Sequence, residues 1–203
     1  KNHHHKIPVL AGYNRGEAEG FSRAFGKTID TVAGLREYAA GFGEKAEEFM
    51  RISRVENDAD AKALFSCDAM LDLVAGARMF GCLQSSQGRE TYLYEFDADI
   101  PGEDQAGSYH GSEMWFAYDS LARCWRPFTG RHYYLARQVS SYWVNFVKNG
   151  NPNGTDTIGE ELPEWKSYTA ENDFVMEFTD KPAESRVKID PLMKFRIDDT
   201  LQR

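Results

Sequence analysis

Two segments of the chain, each beginning with a glycine and ending with a glutamate, carry side chains that could take part in acid–base chemistry. They are Gly12-Tyr13-Asn14-Arg15-Gly16-Glu17 and Gly107-Ser108-Tyr109-His110-Gly111-Ser112-Glu113. Each follows a strand-like stretch, and open α/β sheets build their sites on the loops beyond their strands. A carboxylate such as Glu17 can hold an imidazole such as His110 in one tautomer and stabilise the imidazolium. The pair therefore predicts two-thirds of a serine-hydrolase triad.

Both residues also have an ordinary structural explanation. A glutamate soon after a strand is usually a helix-start carboxylate or a solvated charge, which would account for Glu17. A histidine between glycines is more often a turn residue, which would account for His110. Taken alone, the local sequence favours these ordinary explanations.

The hydrophobic pattern predicts three strands and four helices that would position these segments. The strands are Ile7 to Leu10, which ends in a turn at Gly12, Thr91 to Phe96, and Phe174 to Phe178, which ends at Asp180-Lys181-Pro182. The helices are Gly34 to Met50, Asp58 to Leu83, Arg131 to Lys148 and, in the tail from Asp190 to Arg203, a final helix or helical turn.

This order of elements is that of an α/β fold with right-handed crossovers. Three strands cannot form a doubly covered sheet unaided, so they are expected to be the closing edge of a larger sheet. The wide apolar arc of the helix from Asp58 to Leu83 is also typical of a helix that much more protein covers.

Composition excludes several classes of function. The chain has 203 residues, 41% hydrophobic residues and a net charge of −8, which argues against nucleic-acid binding. No run of about eighteen apolar residues predicts a membrane span, and no apolar stretch after Lys1 resembles a signal peptide.

Some residues with binding potential have simpler explanations. The three scattered cysteines, Cys67, Cys82 and Cys124, form a poor disulfide framework and slightly favour a reducing, cytoplasmic compartment. The adjacent histidines at positions 3–5 suit a solvated loop or a tag remnant better than a metal site, so no metal is expected. The sequon Asn153-Gly154-Thr155 matters only in an exported protein.

Four motifs, in this order, resemble those of the type-B carboxylesterases, the carboxylesterase/cholinesterase family. Gly12 to Glu17 resembles Gly-x-Asn-x-x-Glu, and His110 to Glu113 resembles the family's His-Gly-Ser/Tyr-Glu. Two further segments are similar to structural signatures of the family: Tyr142-Trp143-Val144-Asn145-Phe146 with Gly150 to Gly154, and Leu162 to Tyr168.

The resemblance implies the C-terminal part of an α/β-hydrolase fold over residues 1–203, with closing strands of the central sheet and covering helices. It implies that Glu17 is the triad acid, although Ala18 departs from the family's Glu-Gly and Glu19 lies nearby. It implies that His110 is the general base, in the acid-then-histidine order of these enzymes. No cofactor is implied.

Three neighbours of His110 have two explanations each. Glu113 resembles a family glutamate that is buried beside the active site and orients water and side chains, or it is a surface carboxylate. Trp115 and Phe116 would line the substrate pocket, or they belong to the core.

The family's nucleophile motif, Gly-x-Ser-x-Gly, does not occur in this sequence. The expectation is a fragment of an ester hydrolase that needs the N-terminal half of the same enzyme as its partner, acts on a small-molecule ester, and is inactive alone. Two alternatives stay open: a cholinesterase-like adhesion module without catalysis, and a stand-alone interaction or structural domain.

Overall fold

The computed structural model describes residues 5–17, 29–186 and 188–202. The strands in this part are β1 (Val9–Asn14), β2 (Thr91–Phe96), β3 (Val175–Phe178) and β4 (Pro182–Glu184). The α-helices in this part are α1 (Val32–Ala39), α2 (Ala46–Ser53), α3 (Asp58–Ser85), α4 (Glu113–Ala117), α5 (Gly130–Asn149) and α6 (Pro191–Gln202). Short 3-10 helices span Ala40–Lys45 and Leu121–Arg123.

The strands form one mixed sheet in the order β1-β2-β3-β4. Strands β1, β2 and β3 are parallel, and β4 runs antiparallel to β3. Asn14 and Phe96, the last residues of β1 and β2, are register partners. The loops that carry Glu17 and His110 therefore leave the same end of the sheet.

Helices cover both faces of the sheet, because its side chains alternate between two apolar layers. Even-numbered residues of β2, Tyr92 and Phe96, belong to the core cluster that includes Val139 and Tyr142 of α5. On the opposite face, Tyr13 of β1 packs with residues of α3 and α6, and Leu93 of β2 packs with Tyr168 and Val175. The architecture is α/β, as the sequence predicts.

The first strand runs through Gly12 to Asn14, so the prediction of a turn at Gly12 was wrong. A Cβ atom at Gly12 would lie 2.4 Å from the Tyr94 ring on the neighbouring strand. Glycine therefore serves here as a point of close approach within a strand and not as a turn residue.

The predicted helix from Gly34 to Met50 is two helices, α1 and α2, joined by the 3-10 segment Ala40–Lys45. Gly43 has φ +60° and ψ −126°, outside helical geometry, and breaks the segment. Helix α3 fits its prediction to within two residues at its C-terminal end. Its N-terminus is closed by a capping box between Asn57 and Asp60.

Strand β4 is absent from the sequence prediction, which treated Asp180 to Pro182 as the end of the strand system. Pro182 lacks a backbone N–H, and such a residue is tolerated where the sheet ends. In the described part β4 pairs with β3 alone, and Pro182 opposes Phe178.

The two structural motifs hold the loop after α5 against the core. Asn145 Nδ2 donates to the carbonyl oxygens of Pro152 and Thr155 at 3.3 and 3.2 Å. Asn153 Oδ1 accepts from the backbone N–H of Trp165 at 2.7 Å, and its Nδ2 donates to the Trp165 carbonyl at 2.9 Å. The amide of the sequon asparagine therefore anchors the buried Trp165.

The remaining predictions have partial outcomes. The backbones of Cys67 and Cys82 share α3, and Cys82 and Cys124 carry free thiols. The histidines at positions 3 and 4 lie outside the described residues. Across the described ranges, no helix has the length and apolar character needed to cross a bilayer.

Candidate active site

The loop before His110 returns to the end of β1. Gly16 forms a parallel bridge with Tyr109, and the Gly16 N–H donates to the Ser108 carbonyl at 3.1 Å. A Cβ atom at Gly16 would lie 2.8 Å from that carbonyl oxygen, which is too close for any side chain. The segments that carry Glu17 and His110 are thus joined one residue before each of these two residues.

Glu17 and His110 are in direct contact, as the sequence predicts. Glu17 Oε2 lies within hydrogen-bonding distance of His110 Nδ1. A carboxylate can only accept, so Nδ1 donates in this contact, and in that tautomer of an imidazole the basic lone pair is on Nε2. The Glu17 side chain is 15% exposed, whereas that of His110 is 62% exposed. The arrangement can therefore orient an accessible imidazole as a base.

A glycine lets the chain turn directly after His110. Gly111 has φ +83°, in the left-handed region that non-glycine residues rarely adopt. This turn leads into α4, whose first residue is Glu113. The imidazole and the Glu113 carboxylate consequently lie on successive short segments at the end of the sheet.

Asn14 links the two segments from inside the protein. It is 1% exposed, and its Nδ2 donates to the Tyr109 carbonyl at 2.8 Å and to Glu113 Oε2 at 2.5 Å. Both partners only accept, which identifies the amide nitrogen. Within the described residues, Asn14 Oδ1 has no hydrogen-bond donor. Glu113 is half-buried, and it contacts this asparagine from within the structure.

Trp115 and Phe116 differ in how far they are buried. Phe116 has zero exposure and lies with its ring centroid 5.0 Å from that of Phe96 and 5.8 Å from that of Phe128. Trp115 is half-buried and packs against the same cluster. For Phe116 this burial favours the core explanation that the sequence left open, while a pocket role for Trp115 stays a prediction. The intervening Met114 is 52% exposed.

A charged network lies beneath the site. Ser108 Oγ donates to Asp97 Oδ1 at 3.3 Å, and Arg15 Nη1 donates to Asp97 Oδ2 at 3.1 Å. Glu95 is 2% exposed, and its burial raises the pKa of its carboxyl, against the opposing effect of Arg15 at 3.4 Å. Tyr13 donates its hydroxyl to Glu95, and burial raises the pKa of Tyr13 to about 12.

Sequence reasoning did not identify Asn14 or Ser108 as parts of the site. The signal for Asn14 was present in the Gly-x-Asn-x-x-Glu spacing. Its meaning depends on partners 95 and 99 residues away, which local sequence does not reveal. For Ser108 no signal separated it from a turn serine.

The chain matches the family model described as "Carboxylesterase family" over residues 1–194. It is 31% identical to carboxylesterase 4A of Bos taurus over 121 residues, which cover 52% of this chain and 20% of that protein. It is 31% identical to liver carboxylesterase 1 of Oryctolagus cuniculus over 114 residues, covering 50% and 18%. It is 36% identical to cocaine esterase of Homo sapiens over 67 residues, covering 32% and 11%.

These matches agree with the fold. The matched segments span only about a fifth or less of the length of these relatives. The mixed four-stranded sheet, with helices on both faces, is a partial α/β-hydrolase arrangement. The family model covers nearly all of the chain. The chain belongs to the carboxylesterase family.

Proposed function

We propose that the chain supplies the acid and the general base of a carboxylic ester hydrolase with a Ser-Glu-His triad. Glu17 is the acid, His110 is the base, and the nucleophilic serine lies on a segment outside these residues. The single observation that carries the proposal is the contact of Glu17 Oε2 with His110 Nδ1. Its support is the family membership of the chain and the exposure of the imidazole.

In this mechanism His110 transfers one proton in each half of the reaction. Its Nε2 takes the proton of the serine hydroxyl as the serine oxygen bonds to the ester carbonyl carbon. The imidazolium then gives that proton to the alcohol oxygen as the C–O bond breaks. In the second half, His110 takes a proton from water as the water oxygen attacks the acyl group, and returns it to the departing serine.

Glu17 supports both halves of the reaction without changing its own protonation. Its Oε2 keeps the ring in the tautomer with a proton on Nδ1 and stabilises the positive imidazolium. Its Oε1 accepts from the backbone N–H of Asn14 at 3.1 Å, which restricts the carboxylate to one orientation. The oxyanion would be stabilised by backbone amides elsewhere in the full-length protein. The mechanism requires no metal or cofactor.

The N-terminal half of the same protein is the proposed partner of this chain. In the described residues β1 pairs on one side only, with β2. An open parallel edge and exposed apolar side chains such as Val147 and Trp125 are features that a covering segment would remove. A non-catalytic adhesion module would have no need to retain the Glu17–His110 contact, which favours the enzyme.

A fluorophosphonate probe tests this proposal in the full-length protein. The serine oxygen bonds to phosphorus, fluoride leaves, and His110 accepts the serine proton. We expect labelling of one serine outside the present 203 residues, and loss of labelling in His110→Ala. The matched control is His132→Ala, since His132 contacts Thr129 and Asp99 and not Glu17. Equal labelling of His110→Ala and wild type would contradict the proposal.

A further inference from the structure

We infer that Asn14 is a positioning residue that holds the acid and the base of this site in one geometry. The inference rests on the proposed function, because it assigns Asn14 a role through Glu17 and His110. Asn14 has contacts with both segments: its main chain binds Glu17, and its side chain binds the two ends of the turn that contains His110.

Asn14 lies where the sheet ends and the loop to Glu17 begins. It is the last residue of β1 and is paired in register with Phe96, the last residue of β2. Both residues are at most 1% exposed, so their backbones belong to the packed sheet. Glu17 and His110 lie on the loops beyond. Catalytic side chains on loops keep a fixed geometry when residues of a rigid strand or helix bind those loops. Asn14 is such a strand residue, and it contacts both loops.

The main chain of Asn14 binds the carboxylate of the proposed acid, Glu17. The Asn14 N–H donates to Glu17 Oε1 at 3.1 Å, while the other carboxylate oxygen contacts His110. The carboxylate is thus attached to the sheet at one oxygen and to the imidazole at the other. A shift of Asn14 would turn the carboxylate and, with it, the ring.

The side chain of Asn14 binds the turn that carries the proposed base, His110. Asn14 Nδ2 donates to the carbonyl of Tyr109, directly before His110, and to Glu113 Oε2, three residues after it. Ser112 Oγ lies 3.5 Å from the same nitrogen. One acceptor before His110 and one after it therefore bind the same amide group. Alanine would remove both donors, and aspartate would set a carboxylate against Glu113 and against a carbonyl oxygen.

The experiment uses the full-length enzyme, with kcat expressed per active site by titration with a fluorophosphonate. We expect Asn14→Ala to lower kcat about 10- to 100-fold while KM stays within about twofold, because misplaced catalytic groups slow the chemical step more than binding. Asn14→Asp should lose at least as much. Adding Glu113→Gln to Asn14→Asp should recover about fivefold or more, since the Gln amide can donate to the new carboxylate.

Each outcome decides between the inference and its alternatives. A merely structural Asn14 would reduce the number of active sites and leave kcat per site unchanged, which would overturn the inference. If Asn14→Ala does not fold, the comparison of Asn14→Asp with Asn14→Asp/Glu113→Gln decides, and a double variant no faster than the single one overturns it. If His110→Ala also keeps wild-type kcat, the proposed function itself fails. If only the Asn14 variants keep it, the inference alone fails.

Discussion

The backbone N–H of Gly16 donates to both oxygens of Ser108, to the carbonyl at 3.1 Å and to the hydroxyl at 3.2 Å. This contact joins the segment of the proposed acid to the segment of the proposed base. Because Gly16 has no Cβ, the two backbones approach more closely than any other residue would allow.

Gly16→Ala should therefore impair the site more than the fold. The new Cβ would lie 2.8 Å from the Ser108 carbonyl and would separate the two segments. We expect kcat of the full-length enzyme to fall about 10-fold or more. Gly130→Ala is the matched control, because a Cβ there meets no atom within 4 Å. An unchanged kcat in Gly16→Ala would show that the spacing of the segments is not critical.

Removing Arg78 should destabilise the fold strongly. Its side chain has no exposure, and its Nε donates to Asp173 Oδ1 at 2.8 Å. Arg78→Met should lower the free energy of unfolding by about 3–5 kcal/mol, because it leaves the largely buried Asp173 carboxylate without its cationic partner. Denaturant unfolding measures this. Arg78→Met/Asp173→Asn should be destabilised by less than the sum of the two single variants. Strict additivity would mean that the pair is not coupled.

The stability of the fold should decrease in acid through His132. Burial, aided by Arg131, holds the pKa of His132 below its ordinary value. Its Nδ1 accepts from the Thr129 N–H at 2.9 Å at the start of α5, so the folded state needs the neutral ring. Between the lowered pKa and the unfolded value of roughly 6.5, the unfolded state binds more protons, so the stability of the fold decreases as the pH is lowered through this range.

Thermal unfolding of wild type and His132→Ala between about pH 5 and pH 8 tests this effect, since that range includes the unfolded histidine pKa. The wild type should have the higher midpoint at the alkaline end, where the neutral ring caps the helix. Its advantage should shrink as the pH falls. A difference that is constant over the whole range would remove His132 as the cause.

The strands and helices with strong periodicity were predictable from sequence. The prediction for β2, Thr91–Phe96, is confirmed at both ends. Aromatic residues at every second position are typical of a strand and do not fit the period of a helix. Gly12 was misassigned because the reason for a glycine lies on the neighbouring strand, at Tyr94. The break at Gly43 was missed because the apolar spacing on its two sides fits one helix as well as two.

The candidate site was predictable only in part. Glu17 and His110 were singled out from their motifs and are in contact, while their catalytic roles stay predictions. Asn14 was not singled out, because its proposed role depends on the register of β1 with β2 and on the loop at Tyr109, which lies 95 residues later in the chain and folds back to Asn14. Hydrogen bonds between distant residues leave no periodic pattern in a sequence.

The isolated chain should associate in solution. Among the described side chains, three large apolar or aromatic ones are 73–82% exposed, namely Val147, Trp125 and Tyr118. Such residues, together with the open edge of β1, favour contacts with other copies. Size-exclusion chromatography should detect oligomers or aggregates, and Val147→Lys should reduce them. Coexpression of an N-terminal half should restore a soluble species. A monodisperse monomer with one sharp thermal transition would instead indicate an independent domain.

The most direct test of the central claim is ester hydrolysis by the full-length His110→Ala variant. We expect kcat to fall about 10³-fold or more with the fold retained, because the serine loses its base. His132→Ala, the same substitution at a histidine that contacts Thr129 and Asp99, should keep kcat close to that of the wild type. A folded His110→Ala protein that hydrolyses esters at the wild-type rate would contradict the assignment of His110 as the general base.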